Sequence, residues 1–131
     1  MQKEIFVEGK LLQDNWGGSV PMPDDYKIGT KIVPILHWIP DTNNHGKVCW
    51  YLYHTWSTPN NQFPAEDKIQ NVGTTQGIAR QYFADEMSKL PSISNEHSLL
   101  KLRVIRDFDS DDDTYDGEAV LLGLTLIYET K

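Results

Sequence analysis

The sequence predicts a mainly β domain, an antiparallel β-sandwich or barrel, with one α-helix packed against it. Three observations support this fold class. Several apolar segments have the length of strands and are separated by turn-forming residues. One segment, residues 74–90, instead has apolar residues at helical spacing. The chain of 131 residues suits a single domain covering 1–131.

The first half of the chain contains three predicted strands. Residues 4–12 form the first, and the turn-forming stretch 13–25 after it is predicted as a long loop. Residues 31–39 are apolar at nearly every position, which predicts a strand covered on both faces, although Pro34 favours an edge or a bulge. Residues 47–56 are rich in aromatic and β-branched side chains, so with the preceding strand they predict a hairpin.

The second half contains the predicted helix and two more strands. After a polar, irregular stretch at 57–73, residues 74–90 have the pattern of an amphipathic helix that ends before Pro91. Its apolar face would comprise Ile78, Ala79, Tyr82, Phe83, Met87 and Leu90. Residues 98–106 alternate in polarity, and residues 118–129 are long and very apolar, as in a central strand. The apolar side of the first of these strands carries Leu100, Leu102 and Val104.

The net charge is concentrated in one segment. The chain has 12 Lys and Arg against 19 Asp and Glu, a formal net charge of -7. Residues 107–118, DFDSDDDTYDGE, contain seven of these acids, so the rest of the chain is balanced. A balanced body with one acidic segment argues against direct nucleic-acid binding, which needs a basic face, and against an anionic membrane surface.

Cysteine content and apolar runs bear on the compartment. Cys49 is the single cysteine, which excludes an internal disulfide. The first ten residues lack the basic segment and apolar run of a signal peptide, and no stretch approaches the length of a membrane-spanning helix. We therefore expect production in the cytoplasm by default and no membrane partner.

The acidic segment is the strongest candidate site. Asp107, Asp109, Asp111 and Glu118 have the spacing of ligands in EF-hand calcium loops. Calcium takes about six to eight oxygen ligands, which closely spaced carboxylates supply. Asp112 stands where that loop requires glycine, so the pattern predicts a calcium site without predicting an EF-hand domain. The alternative is a solvated acidic loop that discourages edge-to-edge aggregation.

Two stretches of the chain carry a family resemblance. The first has matched positions at Gly9, Leu12, Gly18, Val20, Tyr26, Gly29 and Trp38. The second, DDDTYDGEAVL, has Thr114 and Tyr115 in the middle and Asp111 or Asp113 before them. Together they resemble the calcium-dependent, galactose-binding bacterial lectins of the PA-IL type. Asp116 and Gly117 stand where that family has paired Asn residues.

The resemblance implies a β-sandwich in which calcium binds sugar hydroxyls directly. Asp113 would then be a fifth candidate metal ligand, and Asp41 would lie near the residue that gives a carbonyl to the metal. The implied ligand-binding residues are Asp41, Asn43, Asn44, His45, Thr114 and Tyr115.

Other polar and aromatic residues favour structural roles. His37 and His54 are expected to be hydrogen-bonded in or near the core rather than to bind zinc. Cys49 is expected to be a small buried residue, facing the opposite side of its strand from His54. Four aromatic residues form either core contacts or a stacking platform, with core packing expected for about half of them: Trp50, Tyr51, Tyr53 and Trp56.

Two functions remain open. The preferred one is a non-enzymatic binding module, in its specific form calcium-dependent carbohydrate recognition through the acidic segment. The alternative is a self-assembling structural protein such as a phage tail or virion ring subunit, because the order of elements is similar to that of small tail-terminator proteins. A homo-oligomer is expected. No phosphate-binding loop, catalytic serine turn or zinc-protease motif is found, so no catalytic residue is predicted.

Overall fold

The computed structural model describes residues 1–12 and 15–131, and these form two antiparallel sheets that pack as a sandwich around one core. The described chain contains these strands: β1 (Gln2–Val7), β2 (Lys10–Leu12), β3 (Asn15–Pro21), β4 (Val33–Pro40), β5 (Lys47–Ser57), β6 (Asp67–Thr74), β7 (Phe83–Glu86), β8 (Leu99–Arg106) and β9 (Ala119–Glu129). Sheet 1 has the order β1-β9-β4-β7, and sheet 2 has the order β2-β3-β8-β5-β6. The predicted mainly β class is confirmed, and neither sheet closes into a barrel.

Alternation of side chains along the strands builds the core between the sheets. Every second residue of β4 is buried, from Pro34 to Pro40, and the same holds for Leu100, Leu102 and Val104 of β8. The largest fully buried side chains include Ile32, Leu36, Trp38, Leu52, Leu102, Leu124 and Leu126. Burial of one such side chain is worth about 1.5–3 kcal/mol, so this layer dominates the stability of the sandwich.

Four predicted strands are confirmed with nearly the expected bounds, namely β4, β5, β8 and β9. The predicted first strand, 4–12, instead divides into β1 of sheet 1 and β2 of sheet 2. The chain changes sheet at Gly9, where an added Cβ would lie 2.1 Å from Cε2 of Trp16. Glycine is therefore required for the close approach of this crossing to the indole.

The predicted hairpin of 31–39 with 47–56 is wrong. β4 pairs with β9 and β7, whereas β5 pairs with β8 and β6, so the turn residues 41–46 cross from one sheet to the other. β4 is also not an edge strand, and its register shift lies between His37 and Trp38 rather than at Pro34. The two strands meet across the core instead, where the rings of Trp38 and Trp50 have centroids 5.9 Å apart.

Two segments predicted as irregular contain strands. Residues 15–21 of the predicted long loop form β3, and residues 67–74 form β6; Gln13 and Asp14 lie outside the described residues. β3 lies between β2 and β8, so backbone pairing on both sides holds its glycine-rich sequence extended. Close packing of the sheets also favours glycine, since a Cβ on Gly18 would lie 3.1 Å from Val7.

The predicted helix at 74–90 is wrong, because this part of the described chain contains no helix and includes β7. Gly77 and Arg80 have positive φ angles of 76° and 61°, which a right-handed helix does not allow. Tyr82 of the predicted apolar face is 59% exposed, whereas Leu90 is buried in the core. The apolar spacing that resembles a helix therefore arises from a loop and a short strand.

Candidate functional site

The acidic segment crosses between the sheets at one end of the sandwich, because it joins β8 of sheet 2 to β9 of sheet 1. These two strands do not pair, so the segment is not the turn of a hairpin. The N–H of Asp107 donates to the carbonyl of Cys49 at 2.9 Å, which ties the start of the segment to β5. A turn follows, in which the N–H of Asp113 donates to the carbonyl of Ser110 at 3.0 Å.

Asp113 forms a buried salt bridge with Arg106. Nη2 of Arg106 lies 2.8 Å from Oδ1 of Asp113, and Nε lies 2.9 Å from Oδ2. The side chains are only 6% and 4% exposed. The N–H of Cys49 also donates to Oδ2 at 3.0 Å. Both carboxylate oxygens of Asp113 are therefore committed to the protein, as expected for a buried charge that must be paired.

The same arginine also holds the end of the acidic segment. Its guanidinium donates to the backbone carbonyls of Tyr115, at 2.7 Å, and Gly117. One side chain at the end of β8 thus binds three points of the segment. The guanidinium of Arg106 therefore holds the acidic segment in its conformation.

The other predicted metal ligands are not gathered around one point. Within residues 1–12 and 15–131, no group of three or more His, Cys, Asp or Glu side chains could hold a metal ion. Oδ1 of Asp107 accepts the N–H of Asp109, and Asp109, Asp111 and Glu118 are exposed to solvent. The described carboxylates form no oxygen shell of the kind that calcium binds. The calcium site remains a prediction from the sequence.

The two predicted ligand loops do lie together. The N–H of Thr42 donates to the hydroxyl of Tyr115 at 2.8 Å, and the side-chain amide of Asn44 donates to the carbonyl of Asp116 at 3.0 Å. Oγ1 of Thr114 accepts the N–H of Lys47 at 2.9 Å. Tyr115 is buried, so its hydroxyl faces the protein rather than solvent. These polar groups bind one loop to the other and leave Asp41, Asn43 and His45 exposed at the rim.

The expected structural roles of Cys49 and the aromatic residues are confirmed. Cys49 is fully buried on the outer side of β5, and His54 faces the core. Trp50 and Trp56 point inward, whereas Tyr51 and Tyr53 lie on the outer side of sheet 2. Half of this aromatic set therefore packs in the sandwich and half remains on its surface.

The outer side of sheet 1 is an apolar surface that nothing in the described chain covers completely. This surface, called the apolar face below, comprises Phe6, Val33, Ile35, His37, Ile39, Val120, Leu122 and Ile127. Phe6 is 54% exposed and Leu122 is 49% exposed. An antiparallel sheet with one face in water normally carries polar residues on that face.

One sequence pattern, the apolar run at 31–39, indicated this face indirectly. This run predicted a strand covered on both sides, whereas the described residues cover its outer side only in part, through Tyr82. Val33, Ile35 and Ile39 of that run are half-buried on the other side. The residues of β1 and β9 that complete the face were not predicted as a functional group.

His37 lies in the middle of the apolar face. Its Nε2 is 2.7 Å from Oγ1 of Thr125, and its Nδ1 contacts the hydroxyl of Tyr82, whose ring stacks on the imidazole with centroids 5.7 Å apart. Burial lowers the pKa of His37, while the charge of Glu4 acts in the opposite direction. The net lowering favours the neutral imidazole, which suits an apolar contact surface.

The outer side of sheet 2 has the opposite character. It is called the basic face below and carries Lys10, Lys47, Lys68, Lys101, Arg103, Tyr51 and Tyr53. Arg103 lies over the ring of Tyr53, 4.0 Å from its centroid, and Lys68 lies over Tyr51 at 4.5 Å. Arg103 also forms a salt bridge of 3.2 Å with Glu66.

A cavity of about 330 Å³ opens beside His54. Burial lowers the pKa of His54, and the charges of Asp67 and Glu66 oppose that shift. The hydroxyls of Thr55 and Ser57, which also line the cavity, donate to backbone carbonyls of the neighbouring loop. The lining therefore shows no activated nucleophile next to a base.

No protein-family model matches the chain, and no curated protein matches it. Within the described residues, no helix is long and apolar enough to cross a membrane.

Proposed function

We propose that the protein is a self-assembling structural subunit and that it assembles through the apolar face. The helix and the hairpin on which the similarity to tail-terminator proteins depended are absent from the described chain, so the proposal is not limited to a phage tail or virion ring. The observation that carries this proposal is the exposed apolar side of sheet 1. Contiguous exposed apolar surface on a soluble domain is typical of a protein–protein contact.

The pairing of the strands shows that the apolar residues are continuous rather than scattered. One row across the sheet runs from Phe6 through Thr125 to Ile35, and the next row contains Ile127 beside Val33. Ile39 and Val120 form a further pair towards the acidic end of the sandwich. The centre of this surface has the composition of an interface core, which is depleted in charge and enriched in aromatic and aliphatic residues.

The test is sedimentation velocity over a range of protein concentrations, with the wild type beside Leu122→Asp. A charge in the middle of an apolar contact is costly to desolvate, so we expect the variant to sediment as a monomer of 15.0 kDa. The wild type is expected to sediment as a larger, discrete species.

The matched control is Ile28→Asp. Ile28 is 38% exposed but lies in a loop beside Asn95 and Glu96, away from the apolar face. It should assemble as the wild type does, and thermal unfolding should show that both variants are folded. A wild type that stays monomeric over the whole concentration range would rule out the proposal, as would a Leu122→Asp variant that assembles normally.

A further inference from the structure

We propose that assembly is head-to-tail: the apolar face of one copy contacts the basic face of the next. This inference rests on the proposed function and names the partner of the apolar face as a second copy of this chain. The two faces lie on opposite sheets of the sandwich, so each copy could contact two neighbours.

The rim of the apolar face is acidic. Glu4, Glu86 and Glu129 occupy outward positions of β1, β7 and β9, next to the apolar rows. No outward position of the described strands of sheet 1 carries Lys or Arg. The outward positions of the described sheet 1 strands therefore carry an apolar centre and three glutamates, whereas the exposed lysines nearby, Lys27, Lys31 and Lys89, belong to the flanking loops.

The basic face has the complementary distribution. One row of paired residues crosses all strands of sheet 2, in the order Lys10, Gly17, Arg103, Tyr53 and Lys68. The cations are interleaved with tyrosine rings, and Ile105 and the half-exposed Val72 add apolar area. No outward position of the described sheet 2 strands carries Asp or Glu.

The charges disfavour a symmetric contact between two apolar faces. Two apolar faces in contact would set the glutamates of one copy's strands against those of the other. Glu129 lies 4.0 Å from the N-terminal ammonium, whereas Glu4 and Glu86 have no salt bridge among the described residues. Such like-charge contacts disfavour a partner, whereas opposite potentials favour it. A head-to-tail contact joins unlike surfaces and generates a ring if the rotation closes, or a filament if it does not.

A polyanion is the competing ligand for the basic face. The chain carries a net charge of -7, which repels a polyanion at long range, and Arg103 is already paired with Glu66. The observations therefore favour the acidic-rimmed face of another copy. Nucleic acid remains a measurable outcome of the experiment.

The experiment uses a basic-face variant, Lys68→Glu with Lys101→Glu, and the apolar-face variant Leu122→Asp. Each alone should weaken assembly at least about tenfold in the dissociation constant, because charge reversal replaces attraction by repulsion and Asp disrupts the apolar centre. The control is Ser94→Glu with Asn95→Glu, which adds negative charge at exposed loop positions near Ile28, outside both faces, and should assemble normally.

The decisive step is to mix the two assembly-deficient variants in equal amounts. Leu122→Asp retains an intact basic face, and the double Lys variant retains an intact apolar face, so a head-to-tail contact predicts a heterodimer that grows no further. Formation of this heterodimer from two monomeric variants supports the proposal. A mixture that stays monomeric overturns it.

The outcomes separate this inference from the proposed function. If Leu122→Asp dissociates the assembly but the double Lys variant assembles like the wild type, the head-to-tail contact is wrong and the assembly function stands. If Leu122→Asp has no effect, the assembly function itself is wrong. Binding of a fluorescein-labelled oligothymidine that the double Lys variant loses, with unchanged assembly, would assign the basic face to a polyanion and also overturn the inference.

Discussion

Arg106 and Asp113 form a two-point salt bridge at the buried base of the acidic segment, with both side chains almost fully removed from solvent. The pair explains how a segment with seven carboxylates is held in one conformation. It also distinguishes Asp113 from its acidic neighbours, which extend into solvent. Removing either partner would leave the other charge buried without compensation.

Substitution of Asp113 is therefore expected to destabilise the fold strongly. Asp113→Asn should lower the free energy of unfolding by about 3–5 kcal/mol, because Arg106 would remain buried without a counter-charge. The measurement is equilibrium unfolding in urea. Asp111→Asn, which changes an exposed carboxylate in the same segment, should change that free energy by less than about 0.5 kcal/mol. Equal effects of the two substitutions would contradict the structural role assigned to Asp113.

A methyl group at Gly9 is expected to disrupt the crossing between the sheets. Gly9→Ala would place a Cβ within 2.1 Å of the Trp16 indole, which is buried and cannot move without a loss of packing. Overpacking of this kind costs about 1–3 kcal/mol of unfolding free energy. Gly17→Ala is the control, because its added Cβ would meet no atom closer than 3.6 Å. A smaller effect at Gly9 than at Gly17 would show that the crossing relaxes easily.

Stability should decrease as the pH falls below the ordinary pKa of histidine. Burial lowers the pKa values of His37 and His54 from 6.5, so the unfolded chain binds more protons than the folded chain in mildly acidic solution. The stability present above about pH 6.5 is then lost as the pH falls through the lowered pKa values. The test compares unfolding free energies between about pH 7.5 and about pH 5 at a protein concentration where sedimentation shows only monomer, because assembly would otherwise contribute. The additional changes His37→Gln and His54→Gln should flatten the dependence; an unchanged slope would assign it to other groups.

Calcium is expected to have little effect on thermal unfolding. A site saturated at about 100 times its dissociation constant adds about 2.7 kcal/mol, but the carboxylates of the acidic segment are not gathered into a metal shell. The midpoint should therefore be the same in EDTA and in millimolar calcium. A calcium-dependent rise that Asp109→Ala abolishes would instead support the calcium-loop hypothesis and the carbohydrate function linked to it.

The parts of the fold that the sequence predicts are those with unambiguous strand patterns. Residues 47–57 combine aromatic and β-branched residues, and residues 119–129 are long and apolar. In residues 99–106, Leu100, Leu102 and Val104 recur at every second position, so each of the three patterns predicts a strand. The apolar spacing of residues 74–90 is compatible with two structures, a helix or a loop followed by a short strand. The spacing of Phe83, Met87 and Leu90 fits a helix face, and only the backbone angles at Gly77 and Arg80 show that a loop and a short strand satisfy it instead.

Pairing partners could not be read from the sequence for a physical reason. A turn between two strands does not specify whether they join in one sheet or face each other across the core, as β4 and β5 do. The acidic segment shows the same limit for a site. Carboxylate spacing suggested a metal, but the deciding group is the guanidinium of Arg106, which the fold brings beneath the segment.

The pairing of β1 with β9 has a consequence for how the protein is made. Gln2 and Glu129 are hydrogen-bonded neighbours separated by 127 positions, and β9 also separates β1 from β4 within sheet 1. While a ribosome is still synthesising the residues before β9, neither β1 nor β4 has its main partner, and their apolar sides remain open. Closure of so long a loop is slow, typically milliseconds to seconds for sandwiches of this kind. The nascent chain is therefore prone to aggregation during this interval. The interval ends when β9 pairs with both β1 and β4.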